Sequence, residues 1–135
     1  MDSVVFAVET GSRRGTFDIS NTLAEFVAGK GDGLLSVFVP HATAGLAILE
    51  VGAGSDQDFM DTLDRLIERS DGHYRHRHGS PGHGADHVVP GFVAPSITIP
   101  VVDGQMTLGT WQSIVLVDPN ADNRARQVRA TFLAG

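Results

Sequence analysis

The chain has 135 residues, the commonest size for a single domain, and its 41% hydrophobic and 19% charged residues exclude a disordered polymer. It contains no cysteine, which removes disulfides, thiolate metal sites and cysteine nucleophiles. Sixteen acidic against ten basic residues leave a net charge of −6, the wrong field for a duplex-binding surface, so no nucleic-acid partner is expected. Nine of the ten basic residues are arginine, whose planar fork suits carboxylate or phosphate, so a small anion stays open as a partner. No apolar run approaches the ~18–20 residues of a membrane span, and the Met-Asp-Ser start lacks a basic segment leading into an apolar one. The expectation is a cytoplasmic chain with no membrane partner.

Val4–Val8 reads as a strand and Thr16–Ile19 as a second. The Gly11–Gly15 turn between them predicts a hairpin. Ser20, Asn21 and Thr22 offer caps for a short helix with Leu23, Phe26 and Val27 at i, i+3 and i+4. Leu34–Val39 is a nearly continuous apolar run, the pattern of a strand buried on both faces. Leu46–Val51 is another strand, broken by Gly52-Ala-Gly54. Ser55 can then cap an amphipathic helix carrying Phe59, Met60, Leu63, Leu66 and Ile67 on one face. Its first turn holds Asp56 and Asp58, where the helix dipole favours acidic groups.

Residues 70–84 show no apolar periodicity and read as a long loop, a feature often tied to function. His87–Val93 predicts a short helix interrupted at Pro90. Ser96–Val102 and Gln105–Leu108 flank an Asp103-Gly104 hairpin signal. Gln112–Val117 and Gln127–Leu133 complete the set across the polar turn Asp118–Arg124. Seven or eight strands with two or three helices make residues 1–135 a single α+β domain with a mostly antiparallel sheet.

Six histidines are present, and five fall between His73 and His87; the sixth is His41. Such clustering points to metal coordination or proton transfer, the bland alternative being a solvated polar loop. His41 follows Pro40 at a strand end, where a side chain can enter a cleft. Glu50 closes an apolar strand, as an exposed edge, a general base or a carboxylate orienting a metal-bound imidazole. Trp111 lies in Gly109-Thr-Trp-Gln112, as a core ring or as a ligand wall beside a small glycine. Arg124 and Arg126 alternate on an extended segment and either share a face as an anion clamp or form a charged edge.

Taken in order, His41-x-Thr-Ala-x-Leu-x-Ile-x-Glu50, Tyr74-x-His76, His87, Ile99-Pro-Val101-x-Asp-Gly104, Leu108-Gly-Thr-Trp-Gln112 and Arg124-x-Arg126 resemble the YjbQ family, described as secondary thiamine-phosphate synthases. The resemblance implies a compact, sandwich-like α+β homotrimer with a pocket near the subunit boundary. It implies that His41, His76 and His87 hold a divalent metal, zinc or magnesium, and that these three with Glu50 carry catalysis. Thr43, Trp111, Gln112, Arg124 and Arg126 would bind a small phosphorylated substrate. The implied reaction couples an aminopyrimidine methyl diphosphate to a thiazole phosphate and releases pyrophosphate. His73, His78 and His83 fall outside the pattern and read as loop. Leu49 and Ala53 stand where the family carries Asn and Asp. Two alternatives use the same parts: a non-catalytic binder of metal or small anions, and a metal-assisted phosphoester hydrolase.

Overall fold

Residues 1–135 are described by a computed structural model. The elements run β1 (Asp2–Glu9), β2 (Gly15–Asp18), α1 (Ser20–Val27), β3 (Gly33–Phe38), β4 (Gly45–Leu49), α2 (Ser55–Leu66), α3 (His83–Val88), β5 (Ser96–Val102), β6 (Gln105–Met106), β7 (Ser113–Asp118) and β8 (Ala125–Ala134). Short 3-10 turns at Asp71–His73 and Val89–Gly91 precede and follow α3. A five-stranded sheet has the order β1-β8-β3-β5-β6 and a three-stranded sheet the order β2-β7-β4, with every ladder antiparallel. The expected α+β class with antiparallel sheets is therefore the observed one. No helix is long and apolar enough to cross a membrane.

The main core is shared between the sheets. Leu35, Val37, Ile99, Val101, Val128, Ala130 and Phe132 come from the larger sheet and Phe17, Leu46, Ile114 and Leu116 from the smaller, with Leu23 and Val27 of α1 closing one end. Truncating a fully buried member such as Leu35 costs about 2–5 kcal/mol. A second core of Met60, Leu63, Val89, Val93, Val115 and Val117 lies on the other side of β7. The strand buried on both faces is thus β7, not β3. Along Leu34–Val39 only Leu35, Val37 and Val39 are buried, because the larger sheet packs on one side alone; Leu34 and Phe38 face outward. Helix α2 covers β7 with Met60 and Leu63, while Leu66 turns to solvent at 77% exposure.

The predicted hairpin between the first two strands does not form. β1 pairs with β8 from Asp2↔Phe132 to Glu9↔Ala125, and the Thr10 and Gly11 amides both donate to the Arg124 carbonyl. That ladder occupies β1, so the chain crosses to the second sheet, where β2 pairs with β7. Ser20 is the first residue of α1 and not a cap; its amide donates to Asp18 Oδ1 at 2.9 Å. Gly54, at φ 105, precedes α2 in the place expected for Ser55. The Asp103-Gly104 turn forms with φ of 51 and 73, the left-handed pair a two-residue hairpin requires. Its return strand ends at Met106, opposite Val101; one residue on, the Thr107 amide donates to the Pro100 carbonyl, and Pro100 has no amide proton to return the bond and extend the ladder.

Candidate metal centre

The segment read as loop contains the start of α3, and that changes what the histidines do. His83 opens the helix and His87 follows one turn later, so both rings lie along one face. Asp86 on the same helix is wholly buried and pairs with the Arg69 guanidinium, which also reaches the Pro119 and Pro81 carbonyls at 3.2 Å each. Arg69 thereby fixes α3 against both the end of α2 and the β7–β8 connection. Burial pushes the Asp86 carboxyl up, against the pull of Arg69 and Asn120.

Gly84 lets the preceding chain come close: a Cβ there would stand 2.6 Å from the His76 carbonyl and 2.8 Å from Tyr74 Cβ. This approach sets the His76 ring 4.3 Å from that of His87 and 5.0 Å from that of His83, centre to centre. The His78 ring lies against His76 at 4.0 Å, tilted by 43°.

One nitrogen from each of His76, His83 and His87 falls within 4.8 Å of the others. The Nε2 atoms of His83 and His87 face each other at 3.0 Å. Two nitrogens bound to one tetrahedral zinc at 2.0–2.1 Å would stand about 3.3–3.4 Å apart, so a small adjustment admits a cation between them. His76 Nδ1 is buried and has no hydrogen-bond partner, a rare condition for a native polar atom. Three half-buried imidazoles with an orphaned nitrogen fit a zinc-class ion. They do not suit magnesium, which takes oxygen ligands. Burial, then the neighbouring imidazoles, hold His76 and His87 below the ordinary histidine value, which favours the neutral form that a metal ligand needs.

His83 Nδ1 lies 3.1 Å from Asp122 Oδ2, which also accepts from Ser80 Oγ at 2.9 Å. The Ser80 hydroxyl holds the Asp122 carboxyl below its usual range, with Asn120 and His83 adding to the effect against partial burial. Asn120, 1% exposed, donates from Nδ2 to Asp86 Oδ2 at 2.8 Å and accepts the Asp122 amide on Oδ1 at 2.9 Å.

The other expected site residues are dispersed. His41 is not in the cluster: its Nε2 accepts the Gln127 amide at 2.9 Å, which leaves Nδ1 carrying the proton in the neutral ring. Burial and Arg126 lower its pKa, partly opposed by Asp118. Arg126 is 2% exposed and spends its fork inward, on Asp118 Oδ2 at 2.7 Å, Asp118 Oδ1 at 2.9 Å and Thr43 Oγ1 at 2.8 Å. Arg124 lies in the exposed turn before β8, so the two arginines form no clamp. Trp111 is 74% exposed and is no core ring. Gln112 closes the turn beneath it by accepting the Gly109 amide at 2.8 Å. Glu50 is half-buried after β4; Leu49 packs on the second core and Ala53 is exposed in the turn before α2.

His83, Asp86, Asn120 and Asp122 were not expected at the site. The i, i+4 spacing of His83 and His87 was the available signal. Neither of the two surface grooves, of about 440 and 400 Å³, is lined by an imidazole; the larger lies between α1 and the β5–β6 turn.

The family model described as "UPF0047 protein YjbQ-like" matches residues 4–135. The UPF0047 protein Rv2556c of Mycobacterium tuberculosis is 58% identical over 135 residues, all of both chains. A UPF0047 protein of Archaeoglobus fulgidus is 30% identical across 82% of this chain and 86% of its own. Among solved structures, a hypothetical protein of Aeropyrum pernix K1 superposes with a TM-score of 0.88 at 30% identity, covering all of both chains. A YjbQ/UPF0047 protein of Clostridium acetobutylicum does so at 0.85 and 26% identity, over 96% of this chain and 99% of that one.

Proposed function

The chain belongs to the UPF0047, YjbQ-like family, and we propose that it holds a zinc-class divalent ion on His76, His83 and His87 and acts there on a small phosphorylated molecule. The observation that carries the reading is the buried, unpartnered His76 Nδ1 beside two facing Nε2 atoms. A bound ion would supply positive charge for phosphate oxygens and for a departing diphosphate. Arg75 and Arg77 flank His76 on exposed backbone positions and would add guanidinium contacts to the same oxygens.

Within this reading the reaction named by the resemblance is the first to test. The thiazole ring nitrogen attacks the pyrimidine methylene carbon, the carbon–oxygen bond breaks, and pyrophosphate leaves with its electron pair. Trp111, with its exposed face, would stack on a ring, and His41 would donate a hydrogen bond from Nδ1. Leu49 and Ala53 favour a second reading, binding without turnover, because two polar groups of the family pattern are missing.

A homotrimer is part of the proposal. The outward face of the larger sheet sets Leu133 beside Leu34 at one end and Val5 and Phe38 on either side of Arg129 at the other, with Ser36, Thr131 and Ser3 between them, a mixed face whose exposed apolar groups copies of this chain would cover. Light scattering should return the mass of three chains, and Phe38→Glu should lower it.

The deciding experiment is metal content by elemental analysis on untagged protein, beside His76→Ala/His87→Ala. Close to one equivalent, lost in the double variant, is expected; no uptake even on titration with zinc would overturn the metal site. Loaded protein that leaves both substrates unchanged would remove the coupling reaction and keep the binder.

A further inference from the structure

We infer that Asp122 is a positioning residue for this centre, setting the tautomer of His83 so that its Nε2 lone pair is presented to the cation; the inference rests on the metal reading above. A neutral imidazole carries one N–H, and whichever nitrogen bears it cannot also ligate a metal. His83 Nδ1 has two neighbours of opposite character: the Asp122 carboxylate, which only accepts, at 3.1 Å, and the Asn120 amide nitrogen, which only donates, at 3.3 Å. The amide already donates to the buried Asp86 carboxylate at 2.8 Å, and the Asp122 contact is the shorter and is charge-assisted. The proton therefore sits on Nδ1, and Nε2 is left as an acceptor.

That Nε2 faces His87 Nε2 at 3.0 Å, a separation that needs one proton, or one cation, between two lone pairs. With His83 fixed as the acceptor, His87 supplies the proton in the metal-free chain, and of this pair it is His87 that must change tautomer when a cation replaces that proton.

Asp122 is itself held in place. Ser80 Oγ donates to the same Oδ2, and the Asp122 amide is tied to Asn120 Oδ1, whose side chain is anchored on Asp86. The β7–β8 connection thus reaches His83 through the Asp122 carboxylate and, more weakly, the Asn120 amide. Neither Asp122 nor His83 belongs to the pattern of residues that carried the family resemblance.

The test combines nitrogen NMR of the metal-free imidazoles with zinc and cobalt titrations of wild type, Asp122→Ala, Asp122→Asn and Ser80→Ala. Wild-type His83 should show a protonated Nδ1 and a bare Nε2. Asp122→Ala should move the proton toward Nε2 and weaken both metals about 10–100-fold, the usual cost of losing such a partner. Asp122→Asn keeps an acceptor oxygen and should recover most of the affinity, while Ser80→Ala should lose only a few-fold. Unchanged tautomer or unchanged affinity in Asp122→Ala overturns the inference and leaves the metal site standing. A wild type that takes up neither ion overturns the metal reading and this inference together. Should Asp122→Ala fail to fold, the Asp122→Asn and Ser80→Ala pair decides on the same two signals.

Discussion

Two polar assemblies share the β7–β8 connection and use their hydrogen-bonding capacity in opposite ways. At one, Arg126 and Asp118 are 2% and 0% exposed; both carboxylate oxygens and two guanidinium nitrogens are engaged, and Thr43 takes part of the remainder. At the other, three half-buried imidazoles leave one nitrogen with no partner and set two others 3.0 Å apart across a single shared proton. Both place polar groups where water is scarce, which costs free energy unless they are paired. The first compensates the cost inside the chain. The second is complete only with something added from outside, and that difference separates a structural pair from a site.

Breaking the closed assembly should have the largest effect. Arg126→Ala strands the Asp118 carboxylate in the core and should cost about 3–5 kcal/mol, a fall of roughly 10–20 °C in the melting midpoint. Asp118→Leu with Arg126→Met removes both charges and should recover much of that loss, since apolar residues of similar volume replace buried pairs at little cost. Thermal and urea melts check both. An Arg126→Ala protein that melts like wild type while losing phosphate binding would reverse the assignment and return Arg126 to the ligand.

The open assembly should answer the other way. His76→Ala deletes the unpartnered nitrogen, so the metal-free protein should keep its stability within about 1 kcal/mol. Metal uptake should be lost. Wild type should gain stability on zinc addition by mass action and the variant should gain none, read as midpoints with and without the ion. A large loss of stability in the metal-free variant would make His76 a packing residue.

Acid sharpens the contrast with a smaller effect. His76 and His87 lie below the ordinary value of 6.5, burial being the leading cause. In the interval below 6.5 the unfolded chain therefore binds more protons than the native one, and metal-free stability should fall as the pH drops through it. Above that interval the contribution is fully present. Metal affinity should fall in the same direction, because protons compete for the same nitrogens. Melts of metal-stripped protein at about pH 7.5 and about pH 5.5 should show a decline that His76→Ala/His87→Ala reduces.

Most of the strands were legible in the sequence because alternation and turn chemistry are local. Ser96–Val102 and the Asp103-Gly104 turn stand where the pattern placed them. Partner choice was not, because it depends on what else competes for a strand: β1 is taken by β8, 128 residues away at Ser3 and Thr131, and no local signal announces it. The continuous apolar run at Leu34–Val39 misled because outward-facing Leu34 and Phe38 read like core. At the site, a helix is expected only from His87 on; the lack of apolar spacing hid the first turn of α3, whose inner face is built from Gly84, Ala85 and Asp86. With that turn unseen, His83 reads as loop, and the resemblance groups His41 with His76 and His87, though a backbone amide occupies its Nε2. The partners of His83 lie some forty residues downstream, beyond the reach of any spacing rule.

The smallest expected effect is at Trp111, the chain's single tryptophan, which neither assembly uses. Its ring is 74% exposed, and the turn beneath it is closed by the Gln112 side chain and backbone, not by the indole. Trp111→Ala should therefore change stability by no more than about 0.5 kcal/mol, as for other surface substitutions. Zinc uptake should be unaltered, because no nitrogen of the cluster depends on that turn. If the ring stacks on a substrate, the variant should lose affinity for the ring-bearing molecule and keep its affinity for inorganic phosphate, compared by calorimetry on metal-loaded protein. Equal binding of both probes would confine the site to the imidazoles and the arginines beside them, and a large drop in melting midpoint would instead make Trp111 a structural contact.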